Sequence, residues 1–207
     1  MKKQMKKIFA VVMALTMVFA MSASAFATDD VITPSPVNYP LTAHVMIYAE
    51  GETVTDVNGT VHHTNAAYAE DDVVFNSAGT VFTQYLPAGT DTSGHQLNGY
   101  PTILDAICKL YVESNGSNDG LVMGWDSNPY EGPQGAYITT LFDNSTITTV
   151  SGLYRWEGYS WTIYLNDTTD TWDAETRTGK IPYYASNIQI QEDDQIYVLY
   201  EKNVETW

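Results

Sequence analysis

The chain has 207 residues and is strongly acidic, with 25 Asp and Glu against 9 Lys and Arg and a formal net charge of −16 at pH 7. This charge repels phosphate backbones and anionic lipids, so nucleic acids and membrane surfaces are excluded as expected partners. Aromatic residues make up 13% of the chain, which favours a packed core over disorder. The length predicts one domain.

The first 27 residues have the pattern of a secretory signal peptide. Four lysines precede an apolar run over residues 8–20, and the segment ends at Ala25-Phe26-Ala27. The apolar run is shorter than the roughly 20 residues of a membrane-spanning helix, and the A-x-A ending is typical of a cleavage site. We therefore expect cleavage after Ala27, no membrane insertion, and a secreted, extracellular protein. The mature part keeps 5 basic residues against 25 acidic ones, a net charge of −20.

The first half of the mature chain reads as a leader followed by strands. Three prolines among polar residues predict a flexible or extended leader over residues 28–40, before a single domain over 41–207. Strands are predicted at residues 44–49, 73–75 and 80–85. Asn58-Gly59 between two β-rich runs predicts a hairpin with a type I′ turn, because that turn needs positive φ at both central residues.

The clearest helix signal begins after Pro101. Thr102 is the predicted N-cap, Asp105 stands at the third helical position, and Asn115-Gly116 predicts the end. An apolar face follows the helical spacing at Leu104, Ile107, Cys108 and Tyr111. Cys108 is the only cysteine, so we expect a buried thiol and no internal disulfide.

The second half contains further strand patterns. Residues 114–135 read mostly as loop, and strands are predicted at residues 136–142, 159–166, 188–191 and 195–201. Asp193-Asp194 marks a turn before the last strand. One helix among many strands predicts an α+β fold.

Four short motifs occur in a familiar order: TILDAI at 102–107, GAYI at 135–138, WTIYLN at 161–166 and IQEDDQI at 190–196. Together they resemble a bacterial family of secreted domains related to the C-terminal β-domain of transcobalamin and intrinsic factor. The resemblance implies a β-grasp-like mixed sheet packed on one main helix, with an extra β-hairpin inserted within residues 51–95. The sequence departs from the family pattern at Asp167 and Asp193, where glycine is usual, although Asp tolerates the left-handed conformation better than most residues.

The resemblance also implies a ligand. The vertebrate relatives use this domain as one half of a corrinoid clamp, so it implies a corrinoid-type small molecule. Binding should be weak, because one chain of this kind covers one face of the ligand.

Exposed aromatic side chains are the candidate ligand-binding residues, because Trp and Tyr combine a flat apolar face with a polar group. Trp161 and Tyr164 are predicted to lie in the core, whereas Trp156 lies in a glycine-flanked segment with weak strand periodicity and is predicted to lie in a loop. The candidates are Trp125, Tyr130, Tyr154, Trp156 and Tyr159.

No catalytic or metal-binding pattern stands out. The acidic run over residues 167–175 and the segment 56–59 contain potential calcium ligands, but solvated loops are the favoured interpretation. The four histidines lack zinc-site spacing, and no nucleophile or phosphate-binding motif is present. The sequence therefore predicts a non-enzymatic extracellular binding module without a cofactor. It binds a small molecule or, alternatively, a protein or glycan as an adhesion module, and a carboxylate-based glycan hydrolase is a minor third alternative.

Overall fold

The computed structural model describes residues 35–77, 85–86, 100–126, 135–182 and 184–206. Within them the elements are β1 (Leu41–Ala49), β2 (Thr53–Thr55), β3 (Val61–His63), β4 (Ala67–Phe75), α1 (Ile103–Asn115), β5 (Val122–Asp126), β6 (Gly135–Leu141), β7 (Asn144–Ser145), β8 (Ile147–Ser151), β9 (Arg155–Leu165), β10 (Gly179–Lys180), a 3₁₀ helix (Ala185–Asn187) and β11 (Asp194–Thr206).

The centre of the fold is a curled mixed sheet that forms a half-barrel. Its strand order is β10-β9-β11-β1-β4, and β8 also pairs with β9. β1 and β11 run parallel, and the other neighbours in this sheet are antiparallel. Two smaller sheets complete the described strands: β2 pairs with β3, and β6 lies between β5 and β7.

The predicted fold class, an α+β β-grasp-like sheet packed on one main helix, is wrong. Strands make up 50% of the described residues and helices 11%, so the fold is mostly β. Strand content was underestimated because β4 and β11 continue through polar residues, including Glu70, Asp71 and Asp72, whose strand propensity is low. Pairing with β1 and β9 supplies the ladder hydrogen bonds that outweigh this local preference.

The helix has the predicted ends. Thr102 Oγ1 accepts the Asp105 N–H at 3.3 Å, and the Asp105 carboxylate accepts the Thr102 N–H at 2.6 Å, which forms a capping box. Gly116 ends the helix in the left-handed conformation, with φ of 74°. The predicted apolar face is buried in the hydrophobic core, and burial raises the pKa of the Cys108 thiol.

Side chains alternate between two faces of the large sheet. On β11, Ile196 and Val198 belong to the same core as α1, as do Val45 and Ile47 on the neighbouring β1. The intervening residues point away from the helix. We call this second surface the distal face. It carries Trp156, Ser160, Thr162 and Tyr164 on β9, Tyr197, Leu199, Glu201, Asn203 and Glu205 on β11, Thr42, His44, Met46 and Tyr48 on β1, and Tyr68, Glu70, Asp72 and Val74 on β4.

The predicted hairpin is confirmed, but its turn differs from the prediction. Gly59 has φ of 82°, whereas Asn58 is outside the left-handed region, so the type I′ turn is wrong. The Asp56 carboxylate decides the geometry, because its Oδ1 accepts the N–H groups of both Asn58 and Thr60. The Val57 N–H donates to Thr148 O at 2.9 Å, which ties the hairpin to β8.

Residues 35–40, the last part of the predicted leader, pack on the domain. The Ser35 N–H donates to Gln189 Oε1 at 2.8 Å, and Gln189 Nε2 donates back to Ser35 O at 2.6 Å. Val37 and Tyr39 pack against the core. The predicted signal peptide and the first part of the leader, residues 1–34, lie outside the described residues, as does most of the predicted strand at 80–85.

The segment before β11 is not the strand predicted over residues 188–191. It follows the 3₁₀ helix, and Gln189 forms an isolated bridge with Thr102. The turn into β11 is left-handed at Asp193, with φ of 64°, a conformation that Asp tolerates better than most residues. The Arg177 guanidinium then donates to the buried Asp194 carboxylate at 2.9 Å, and this ion pair anchors the loop between β9 and β10.

Candidate functional site

Trp156 is not in a loop. It lies in β9, its side chain is 4% exposed, and its Nε1–H donates to Thr148 Oγ1 at 3.2 Å. Its ring lies over Gly158, where an added Cβ would collide with it. The glycine that weakened the strand pattern therefore makes room for the indole, and Trp156 has the surroundings of a buried packing residue.

The other predicted aromatics do not form one surface with Trp156. Tyr154 is exposed near the turn between β8 and β9. Tyr159 faces the opposite side of β9 from Trp156, and its pKa is raised by a hydrogen bond to the Glu52 carboxylate and by burial. Trp125 lies in β5 instead of the predicted loop. Tyr130 and the side chain of Trp125 are not among the parts of the chain that the structure describes.

The two aromatics predicted to be in the core lie on different faces of the sheet. Trp161 packs against the core that contains α1, and its Nε1–H donates to Asn144 O at 2.8 Å. Tyr164 is buried on the distal face, where its hydroxyl donates to Glu201 Oε1 at 2.7 Å. Trp161 is therefore only partly buried against the core, whereas Tyr164 is buried but belongs to a polar cluster.

Two tyrosines that the sequence did not single out form an exposed pair on the distal face. Tyr48 on β1 and Tyr68 on β4 are register partners, with 44% and 63% of their surfaces exposed. Directly opposed residues of antiparallel strands have Cβ atoms about 5 Å apart, so the two side chains leave the sheet next to each other. We call this pair the tyrosine platform.

A histidine held by two carboxylates lies on the same face, four residues before Tyr48 on β1. His44 Nδ1 is 2.9 Å from Asp72 Oδ1, and His44 Nε2 is 3.0 Å from Glu70 Oε1. Both ring nitrogens face acceptors, which favours the protonated imidazolium. The pKa of His44 is therefore raised, by the hydrogen bond to Asp72 first and that to Glu70 next, while desolvation by burial opposes the shift.

This arrangement predicts a pH-dependent stability. Because the pKa of His44 is raised in the folded state, its contribution is fully present below the usual histidine pKa of 6.5 and is lost as the pH rises through the folded value. In denaturant titrations between about pH 5 and 8, the wild type should have a larger free energy of unfolding than His44→Gln at low pH, and this difference should shrink as the pH increases. A difference that is constant with pH would contradict the carboxylate clamp.

The other end of the distal face carries a polar cluster. Lys180 Nζ donates to Asn203 Oδ1 at 2.8 Å, and Asn203 Nδ2 donates to Ser160 Oγ and Thr162 Oγ1, each at 3.0 Å. The Tyr164 hydroxyl, which also approaches Asp170 Oδ1 at 3.3 Å, has its pKa raised by burial and by Glu201. These groups satisfy one another and order the sheet edge formed by β9 and β10.

The acidic segments considered as calcium sites form local hydrogen bonds. His62 and the backbone N–H groups of Thr60 and Asn58 lower the pKa of Asp56 to about 2. The Asp173 carboxylate accepts the N–H groups of Glu175 and Thr176, and its pKa is lowered for that reason. The part of the chain that the structure describes has no group of three or more His, Cys, Asp or Glu side chains placed to hold a metal ion.

No family model, curated protein or solved structure matches the chain. The resemblance to the transcobalamin-related bacterial domains therefore stays a prediction. Among the described residues, no helix has the length and apolar character needed to cross a membrane.

Proposed function

We propose that the chain is a secreted, non-catalytic binding module that recognises a neutral glycan on the distal face. The observation that carries the proposal is the tyrosine platform: two exposed tyrosine side chains at directly paired positions of β1 and β4. Strands hold such a site more precisely than loops do, which reduces the conformational entropy that is lost when the ligand binds.

The chemistry of the neighbouring side chains supports a hydroxyl-rich ligand. Tyrosine rings pack against the apolar faces of sugar rings, and their hydroxyls donate and accept hydrogen bonds. Glu70 and Asp72 are exposed on β4 and supply carboxylate acceptors for sugar hydroxyls. The strongly acidic chain disfavours anionic polymers, so a neutral glycan is the favoured class.

The shape of the surface supports a chain of several sugars. Tyr68, Glu70, Asp72 and Val74 alternate along one edge of the distal face, and all four are exposed. At a rise of about 3.4 Å per residue, this row is about 20 Å long. A single ring covers a fraction of that length, so an oligosaccharide is a better fit than a monosaccharide.

Affinity electrophoresis on a panel of neutral polysaccharides tests the proposal. Tyr68→Ala should weaken binding by about tenfold, which corresponds to about 1.4 kcal/mol and is in the range of a partly desolvated aromatic contact. Tyr154→Ala is the matched control, because Tyr154 is equally exposed but lies at the turn between β8 and β9. Thermal melts of both variants should match the wild type.

Two results would contradict the proposal. If both variants lost binding equally, the ligand would bind elsewhere. The same conclusion would follow if Tyr68→Ala bound the glycan as tightly as the wild type. A cobalamin titration followed by absorbance and calorimetry tests the corrinoid ligand that the resemblance implies. Saturable corrinoid binding without any glycan binding would replace the glycan proposal.

A further inference from the structure

The side chains of Lys180 and Asn203 meet across an intervening strand. Lys180 lies in β10 and Asn203 in β11, and β9 separates the two in the sheet. Lys180 Nζ is 2.8 Å from Asn203 Oδ1, and both residues are partly buried on the distal face. The Asn203 Cγ lies about 1.2 Å beyond its oxygen, so Nζ is within about 4 Å of an amide carbon.

The amide of Asn203 is held in one orientation. Its Nδ2 donates to Ser160 Oγ and Thr162 Oγ1, each at 3.0 Å, which turns Oδ1 towards Lys180. Thr162 is 5% exposed, and Tyr164, the register partner of Lys180 on β9, is 3% exposed. These two residues therefore shield the base of the cluster from water. Nucleophilic attack proceeds from reacting atoms about 3–3.5 Å apart, so the amine has to move less than about 1 Å towards the oriented, partly desolvated amide carbon.

A carboxyl group lies on the same face of the sheet as the pair. Glu205 follows Asn203 by two residues on β11 and therefore shares the distal face. Burial raises the pKa of Glu205, and the charge of Lys180 lowers it, which places the two groups within electrostatic range of each other. A carboxyl in this position can accept a proton from the amine and return it to a leaving group.

We propose that Lys180 and Asn203 form an intramolecular amide bond between their side chains, with Glu205 as the proton carrier. The Lys180 ammonium gives a proton to the Glu205 carboxylate, and the neutral Nζ attacks Asn203 Cγ to form a tetrahedral intermediate. The Cγ–Nδ2 bond then breaks as Glu205 returns its proton to Nδ2. The two protons lost from Nζ end on the departing nitrogen, which leaves as ammonium, so atoms and charge balance without an oxidant.

The bond would join the short β10 to the last strand. It would close a loop through β11 that contains the 3₁₀ helix and the turn at Asp193. A covalent link of this kind restricts the unfolded chain as a disulfide does. It needs no cysteine, in a chain whose only cysteine is buried and unpaired.

Mass spectrometry of the secreted, folded protein tests the proposal directly. The bond lowers the mass by about 17 Da, the mass of ammonia. It also blocks trypsin at Lys180, so the tripeptide 178–180 should be missing. The digest should instead contain peptide 178–202 joined to peptide 203–207.

Three variants distinguish the formation of this bond from other reactions that release ammonia. Lys180→Arg should restore the full mass, whereas a succinimide formed at Asn203 alone would persist in that variant. Glu205→Gln should leave most molecules unlinked, and full linkage in it would overturn the role of Glu205. Lys109→Arg, on the surface of α1, is the control and should keep the bond. A folded wild type with the full mass and a free 178–180 tripeptide would overturn the proposal.

Discussion

Replacing Leu104 by alanine is expected to lower the free energy of unfolding by about 2–5 kcal/mol. Leu104 is completely buried on the face of α1 that enters the core, between the helix and the sheet. Truncation removes its apolar contacts and leaves a cavity that fixed strands cannot fill by collapsing. A denaturant titration followed by tryptophan fluorescence measures the change.

Glu113→Ala in the same helix is the control for Leu104→Ala. The Glu113 side chain is exposed and pairs with Lys109 at helical spacing, a contact worth about 0.3–0.5 kcal/mol. Leu104→Ala should therefore lower the free energy of unfolding several times more than Glu113→Ala does. Similar losses would mean that the helix contributes by propensity alone and does not pack as described.

Trp156→Ala is expected to lower the free energy of unfolding by about 3–5 kcal/mol, the range for a buried large aromatic. Its indole lies over Gly158, and its Nε1–H bonds to Thr148 on β8, so truncation loosens the contact between β8 and β9. Urea titrations at one pH, with circular dichroism and fluorescence as two independent probes, measure the effect.

Tyr154→Ala provides the contrast for Trp156→Ala. Tyr154 is two residues away and exposed, so its replacement should change stability by no more than about 0.5 kcal/mol. If Trp156→Ala folded as stably as Tyr154→Ala and lost ligand binding, Trp156 would be a recognition residue after all. That outcome would restore the binding role that the sequence predicted for it.

Elements whose signals are local in the sequence were predicted well. The N-cap Thr102, the carboxylate of Asp105 and the terminal Gly116 act within a few residues of one another, so the helix was predicted at both ends. The hairpin at Asn58-Gly59 was also predicted, but the carboxylate of Asp56 selected a different turn. Local preference determines that a turn forms, and side-chain hydrogen bonds select its geometry.

The candidate site was predicted less well, because exposure is not a local property. Trp156 was expected to be exposed, and Gly158 buries it by leaving space beside β8. Tyr48 and Tyr68 are 20 residues apart and become neighbours through the pairing of β1 with β4. A residue on a two-sided sheet is exposed or buried according to what covers that face, which alternation alone does not reveal.

The sequence by itself determined the helix with its caps, the buried Cys108, the central parts of β1, β6, β9 and β11, and the expectation of secretion. Only the tertiary structure decided the strand order, the curl of the sheet and the meeting of residues distant along the chain, such as Lys180 with Asn203 and Arg177 with Asp194. Helix caps and the alternation of apolar residues depend on residues close together in the sequence. Strand order depends instead on which long-range pairings bury the apolar faces together. The mostly-β fold and the chemistry of its distal face are consequences of those pairings.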